Sequence, residues 1–352
     1  MKTSLIECPF VPKCLPIEFG NMTKEQCQSH SCSATVYICD QMPQIPANRA
    51  CMKPQWSARA ITVGTGLNRP VGLFIDKHDT FYIADLNNHT VQHFISGSTK
   101  GIIVAGGMGV GDGPTQLRFP HTIIIDKDDN LFVGDSGNHR VQKFTSGTVI
   151  GTTIAGARGP GSELFQFNEN FGIAIDHEEQ LYVADQRNNR IMKFSRGSKF
   201  GTVVTEPNEL NNPFEIYIDQ CNTLYIADTG NHRVRRYPQM NQVADTTIIG
   251  VSGKPGNGSQ HLNKPWSLTV DTYGNVFVSD EYNHRIQRWS VRDGTIQTVA
   301  DVTGSIGNDS QRLHEPNGVG LDSKGNLYVV DQSNYRLQIN YVSTHGDGRT
   351  YI

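Results

Sequence analysis

The stretch LFVGDSGNHRVQKF (Leu131–Phe144) decides the fold, because versions of it occur six times along the chain. Each copy has an apolar run that ends in Asp, then a short polar turn, and then a second apolar run. The Asp residues are separated by 50, 50, 43, 52 and 51 positions, and they are Asp85, Asp135, Asp185, Asp228, Asp280 and Asp331. A pattern of several residues that returns at this period indicates a repeat architecture.

A further apolar run precedes each copy, as in PHTIIID (Pro120–Asp126), and a turn such as DKDDN joins the two runs. With the run after the motif, each repeat has four short segments rich in Val, Ile, Phe and Tyr, which predicts four β-strands. None of them has a sustained 3.6-residue period, so almost no helix is expected. Six repeats of four antiparallel strands predict an all-β, six-bladed β-propeller.

The sequence also predicts how the ring closes. The last repeat has no clear fourth strand after RLQINYV, whereas an unpaired strand pattern, ARAITVGTG (Ala58–Gly66), precedes the first repeat. We expect this N-terminal strand to complete blade six, because closure removes exposed sheet edges. The predicted domains are a Cys-rich segment at 1–57 and the propeller at 58–352.

Composition narrows the function classes. The 352 residues include 31 basic and 34 acidic residues, a net charge of −3, so no strong positive field favours nucleic acid or an anionic membrane. No apolar run approaches the roughly 18 residues of a membrane span. We therefore expect neither a membrane span nor a nucleic-acid partner, and predict a monomer or part of a larger chain.

The cysteines are concentrated at the N-terminus, where six of seven lie in the first 51 residues. An even number in a short segment favours three disulfides over a metal site, since no close C-x-x-C pair exists. All 15 pairings stay open for Cys8, Cys14, Cys27, Cys32, Cys39 and Cys51. Disulfides predict a secreted protein, and four N-x-S/T sequons fit a glycoprotein: Asn21, Asn88, Asn257 and Asn308. The first residues lack a signal peptide's apolar run, so a cytoplasmic location is the alternative.

The recurrent D-x-x-N-H-R element resembles the NHL repeat, and the resemblance covers about residues 58–345. It implies a six-bladed propeller. Branches of this family include peptidyl-α-hydroxyglycine lyases, the recognition ends of TRIM-type ubiquitin ligases, and sensor domains of receptor kinases. The fold alone therefore does not determine the function.

The lyase branch implies zinc held in the channel mouth by three His residues, each following Pro. Here only PHTIIID provides one, at His121, and the matching positions hold Val71, Phe171, Phe214, Trp266 and Asn317. Because one His does not make a catalytic zinc site, we predict no catalytic residues, metal or cofactor, and an enzyme is disfavoured. The N-terminal cysteines also lack the paired spacing of a RING domain.

The repeated motif is predicted to be structural. Arg follows Asp by five positions in repeats two to six, which suggests buried, bidentate ion pairs. These pairs are Asp135–Arg140, Asp185–Arg190, Asp228–Arg233, Asp280–Arg285 and Asp331–Arg336. Repeat one has Thr90 in place of the Arg, so its blade should be tied least well.

The candidate binding site is the channel mouth on the top face, which carries the Asp–Arg turns and the long crossover loops. Phe171, Phe214 and Trp266 come from adjacent blades and would form one apolar patch. His121, Glu215 and Asn317 would set polar specificity. The alternative for the aromatic residues is that the crossovers cover them. The alternative for Glu215 is a salt bridge or a water-filled channel.

The sequence thus favours a non-catalytic propeller that binds a protein, a peptide or a small apolar ligand at its top face. The first alternative is an intracellular substrate- or RNA-recognition propeller of the TRIM-NHL type without its RING. A metal-dependent lyase is the third.

Overall fold

The computed structural model of the chain describes residues 55–95, 98–156, 159–238, 246–301 and 303–343. The six predicted disulfide cysteines and the sequon at Asn21 lie outside these ranges, so their predictions stay untested. The domain boundary at 57/58 likewise stays a prediction. In the described ranges no helix is long and apolar enough to cross a membrane.

The described residues form six four-stranded antiparallel sheets, which confirms the predicted all-β, six-bladed propeller. Blade one contains β3 (Pro70–Ile75), β4 (Phe81–Asp85), β5 (Thr90–Phe94) and β6 (Ile102–Gly106). Blade two contains β7 (Pro120–Ile125), β8 (Leu131–Asp135), β9 (Arg140–Phe144) and β10 (Gly151–Gly156). Blade three contains β11 (Asn170–Ile175), β12 (Leu181–Asp185), β13 (Arg190–Phe194) and β14 (Thr202–Val203).

The second half of the ring repeats this plan. Blade four contains β15 (Pro213–Ile218), β16 (Leu224–Asp228), β17 (Arg233–Tyr237) and β18 (Thr246–Gly250). Blade five contains β19 (Pro265–Val270), β20 (Val276–Asp280), β21 (Arg285–Trp289) and β22 (Ile296–Ala300). Blade six contains β23 (Pro316–Leu321), β24 (Leu327–Asp331), β25 (Arg336–Asn340) and β2 (Ile61–Gly64). One-turn 3₁₀ helices join the second and third strands, at Leu86–Asn88, Ser136–Asn138, Gln186–Asn188, Thr229–Asn231, Glu281–Asn283 and Gln332–Asn334.

The inner strands form the channel wall. Each of β3, β7, β11, β15, β19 and β23 contacts the next, and β23 contacts β3, so the ring is closed. The hydrophobic core lies between blades; Val71 of blade one, for example, packs in one cluster with Ile123 and Val133 of blade two. Gly72 permits this approach, because a Cβ there would fall 1.9 Å from the backbone oxygen of His121.

The predicted closure is confirmed, because β2 pairs with β25 through the partners Ile61↔Ile339 and Thr62↔Gln338. A second strand pair also joins the two ends of the ring. It is formed by β1 (Gln55–Trp56), which precedes the strand predicted at 58–66, and β26 (Val342–Ser343). The Trp56 indole donates to the carbonyl of Gly325 at 3.1 Å, and its ring meets Phe277 edge-on at 5.3 Å. The ring is therefore fastened at two places by strands far apart in sequence.

The Asp–Arg motif connects each blade to its crossover loop. In blade two the Arg140 Nε donates to Oδ2 of Asp135 at 2.7 Å, and the same oxygen accepts from Asn138. Oδ1 accepts the backbone N–H of Arg118 at 2.7 Å. The terminal guanidinium nitrogens donate to three crossover carbonyls, those of Asp112, Gly113 and Gln116. The pairs are buried as expected, but the bidentate geometry was wrong, because Oδ1 is already occupied by the backbone.

The other blades repeat or adapt this contact. The Nε–Oδ2 distance is 2.7–2.8 Å in Asp185–Arg190, Asp228–Arg233, Asp280–Arg285 and Asp331–Arg336. In blade one, where Thr90 replaces the Arg, the side chain of Gln92 donates to Asp85 at 2.7 Å. Gln92 therefore supplies the hydrogen bond to Asp85 that the Arg supplies in the other blades.

The motif's His residues join neighbouring blades through hydrogen bonds. His139 has a left-handed backbone with φ 54°, and its Nδ1 accepts the backbone N–H of Glu169 in the next blade at 3.0 Å. His89, His232 and His284 make the same bond to the next blade. Asn189 does so through its amide oxygen, which accepts from Asn212 at 2.7 Å.

Candidate functional site at the channel mouth

Four rings meet at the top of the channel and form one contiguous group, here called the mouth cluster: His121, Phe171, Phe214 and Trp266. Phe171 and Phe214 stack with their ring centres 4.5 Å apart, and Phe214 lies 4.2 Å from Trp266. His121 meets Phe171 edge-on at 4.1 Å and lies 6.2 Å from Trp266. All four side chains are half-buried.

A β-bulge at the start of each inner strand aims these rings. In blade two Pro120 pairs with Asp135 and Ile123 with Val133, so His121 and Thr122 lie opposite the single residue Gly134. A bulge leaves a residue out of the ladder and re-aims its side chain. The second residue of the inner strand is thereby presented at the mouth in blades two to five.

A small recess opens beneath the mouth cluster, with room for about one water molecule. Besides the four rings, it is lined by Gly72, Thr122 and Glu215. The Thr122 hydroxyl donates to the backbone oxygen of Phe171 across the blade boundary. The Thr122 hydroxyl is therefore already hydrogen-bonded, whereas Glu215 has an oxygen without a partner among the described residues.

Glu215 has no ion-pair partner in the described part of the chain, so the salt bridge considered for it is not formed there. One oxygen, Oε1, accepts the backbone N–H of Ile216 at 3.2 Å. Burial raises the pKa of Glu215 to about 8, because that single hydrogen bond only partly offsets the lost hydration. The carboxyl group is therefore largely protonated at neutral pH.

His121 is neutral at the same site. Its Nδ1 lies 3.2 Å from the carbonyl of Phe119, which assigns the proton to Nδ1 and leaves Nε2 as an acceptor. Burial lowers the pKa of His121 to about 3, and the nearby positive charge of Arg69 acts in the same direction. His121 thus contributes an aromatic surface and one acceptor, without charge.

Asn317 is not brought to the mouth cluster. Its side chain is fully buried, and its amide group can donate to the backbone oxygens of Glu315 and Pro316 at 3.0 and 3.3 Å. Val71, the equivalent residue of blade one, is buried as well. The four rings of the mouth cluster therefore come from blades two to five, and no signal in the sequence distinguished Asn317 from its half-buried equivalents.

A zinc centre of the lyase type does not fit this mouth. The positions equivalent to His121 carry aromatic rings in three blades, and rings supply no metal ligand. In the described ranges no group of three or more His, Cys, Asp or Glu side chains is placed to hold a metal ion. The donor set at the mouth consists of His121 Nε2 and Glu215, which is short of three protein ligands.

The basic stretch of blade four does not form a free positive surface. Arg233 pairs with Asp228, and Arg235 pairs with Glu209 at 2.9 Å. Arg235 is buried, whereas the neighbouring Arg236 lies on the other face of the strand and is half-buried.

Comparison with known proteins supports the repeat assignment. A family model described as the NHL repeat matches residues 67–94, 117–144 and 262–289. The peptidyl-alpha-hydroxyglycine alpha-amidating lyase 2 of Drosophila melanogaster is 29% identical over 105 residues, which are 28% of this chain and 25% of the lyase. The match thus spans about a quarter of that relative's length.

Solved structures share the fold at low sequence identity. A protein of unknown function from Bacteroides thetaiotaomicron superposes with a TM-score of 0.64 and 16% identity, covering 83% of this chain and 77% of that one. An auxiliary nutrient binding protein from the same species gives 0.62 and 16%, covering 79% and 70%. At such identities the likeness concerns the fold alone. The chain thus contains NHL repeats at the three matched stretches, and it folds as a six-bladed β-propeller.

Proposed function

We propose that this protein is a non-catalytic binding propeller that recognises a peptide segment of another protein at the mouth cluster. The observation that carries the proposal is the contiguous, half-buried group of four rings around a small recess. Aromatic residues dominate the binding energy of protein interfaces, where they act as rigid anchors in central pockets.

The geometry supports a preorganised site. The rings start from inner strands of a closed ring, and their mutual stacking restricts their side-chain rotamers before a ligand arrives. Less conformational entropy is then lost on binding, which improves affinity without new contacts. A rigid scaffold of this kind suits recognition better than a mobile loop does.

The chemistry of the mouth favours binding over turnover. His121 is held neutral by burial, and Glu215 is held largely protonated at neutral pH. Their hydrogen bonds go instead to the backbone, at Phe119 for His121 and at Ile216 for Glu215. The nutrient-binding description of a protein with this fold is compatible with a binding role, and the N-terminal cysteines place that role, in our proposal, outside the cell.

The test is selection of peptides from a random display library on the full chain. Peptides bound by the wild type are then measured against Phe214→Ala and Trp266→Ala. Phe200→Ala is the matched control, because Phe200 is an aromatic residue that is 64% exposed and lies outside the mouth. We expect each mouth variant to weaken binding by at least about tenfold, or 1.4 kcal/mol, and the control to bind unchanged.

The result distinguishes binding at the mouth cluster from binding elsewhere on the protein. Selected peptides that bind both mouth variants as tightly as the wild type would place recognition elsewhere and overturn the proposal. Thermal unfolding of every variant confirms that the ring is intact, since both rings are half-buried at the surface and their loss should leave the blades folded.

A further inference from the structure

We propose that the recess beneath the mouth cluster takes a primary ammonium group, such as the end of a lysine side chain, with Glu215 as its counter-ion. This inference rests on the proposed function and deepens it, because it names the group that the bound peptide inserts. The observation behind it is a carboxyl group with a free oxygen in a recess whose other lining residues are four rings, Gly72 and Thr122.

The recess offers a cation two complementary contacts. Oε1 of Glu215 accepts one backbone N–H, and Oε2 accepts no hydrogen bond from another described residue. The rings of Phe214 and Trp266 border the same space, and aromatic rings attract cations, with Trp the strongest. An anion would find neither contact, and a neutral apolar group would leave the carboxyl group unpaired.

Size selects the type of cation. The recess holds about one water molecule, and a primary ammonium group is of similar size and carries three N–H donors. A trimethylated ammonium group is larger and has no donor for Glu215. A divalent metal ion such as calcium needs six to eight oxygen ligands, which this set of side chains does not supply.

Binding would be linked to the release of a proton. Without a ligand Glu215 keeps its proton; an incoming ammonium group pairs with the carboxylate, and the proton leaves to solvent. The net change is one proton released for each cation bound. Affinity should therefore rise with pH, by about tenfold between pH 6 and pH 7, and level off above the pKa of about 8.

The groups that face Glu215 do not disturb this linkage. Gly72 (β3), Phe171 (β11) and Trp266 (β19) carry no charge. From β7 come Thr122, which does not titrate, and His121, whose pKa of about 3 keeps it neutral throughout the range. Arg69, which precedes β3, acts on His121 and helps to keep it neutral.

The experiment titrates the full-length chain with Nα-acetyl-lysine N-methylamide and with its ε-trimethylated analogue, using calorimetry. Glu215→Gln is the test variant, because Gln resembles the protonated Glu in shape and charge. Glu178→Gln is the matched control on an exposed residue of the opposite, hairpin face. Repeating the titration in two buffers with different ionisation enthalpies counts the protons released.

We expect the lysine probe to bind the wild type and Glu178→Gln equally, with close to one proton released at pH 6.5. Glu215→Gln should bind at least tenfold more weakly and release no proton. Equal affinity for the trimethylated probe, no detectable binding of the lysine probe, or an unchanged affinity of Glu215→Gln would each overturn the inference.

These failures differ from failure of the proposed function. Peptides selected by display that lose affinity for Trp266→Ala but bind Glu215→Gln as tightly as the wild type would refute the ammonium inference alone. Peptides that bind all variants equally would refute the proposed function as well.

Discussion

Replacement of the motif arginine should have very different consequences in blades two and three, although the Asp–Arg contact is the same in both. Arg140 and Arg190 each donate through Nε to a fully buried Asp at 2.7 Å. Two positions later the blades differ: blade two has Gln142 and blade three has Met192. Gln142 has both side-chain polar atoms buried without a hydrogen-bond partner.

Blade one shows what the glutamine can do. There Thr90 stands at the arginine position, and Gln92 donates to Asp85 at 2.7 Å. Arg140→Thr recreates this arrangement in blade two, where Gln142 can turn to Asp135. Arg190→Thr cannot recreate it, because Met192 offers no donor.

The magnitudes follow from the buried carboxylate. Removal of one partner of a buried ion pair costs about 3–5 kcal/mol, because an uncompensated charge stays behind. A hydrogen bond to a charged group restores about 1.5–3 kcal/mol. We therefore expect Arg190→Thr to lower the free energy of unfolding by about 3–5 kcal/mol, and Arg140→Thr to cost about 1.5–3 kcal/mol less.

Urea unfolding followed by intrinsic fluorescence measures both variants against the wild type. Gln142→Met added to Arg140→Thr is the control, and it should make the blade-two variant as unstable as Arg190→Thr. Equal losses for the two single variants, or no further loss in the double variant, would refute the assigned role of the glutamine.

Three further predictions concern stability and the N-terminal segment. Burial lowers the pKa of His139, so below pH 6.5 the unfolded chain takes up a proton that the folded chain refuses, and stability falls with falling pH. Between pH 7.5 and pH 5.5, His139→Asn should lose less free energy of unfolding than the wild type, because Asn189 makes the equivalent bond without titrating. An equal loss in both proteins would contradict this. Deletion of residues 1–66 removes β2 and should abolish cooperative thermal unfolding, whereas an unchanged calorimetric transition would show that closure contributes little. Alkylation without prior reduction should leave the six N-terminal cysteines unmodified in intact-mass spectra of secreted protein, and their full alkylation would refute the three disulfides.

The sequence predicted what repetition determines. Six copies of an apolar run ending in Asp specify the strands, and the missing fourth strand of the last repeat specifies that Ile61–Gly64 closes the ring. The Asp–Arg spacing predicted a buried pair as well. These features depend on local pattern and on the need to pair every strand.

The remainder depends on three-dimensional detail that no single repeat encodes. The bulge at Pro120–Ile123 takes His121 out of the strand ladder, and a period-two pattern does not show it. Asn317 occupies an equivalent position, yet it is buried and its amide is placed to bond backbone oxygens. The size of the recess follows from how rings of four blades stack on one another, which sequence spacing cannot give.

The most direct test of the account follows the indole N–H signals of the three tryptophans by NMR while a display-selected peptide is added. Trp266→Phe assigns the Trp266 signal, and Trp56 and Trp289 lie away from the mouth and serve as internal controls. If the peptide binds at the mouth cluster, the Trp266 signal should shift and saturate as peptide is added, while the other two signals stay in place. A saturating shift of Trp56 or Trp289 with Trp266 unmoved would contradict recognition at the mouth cluster.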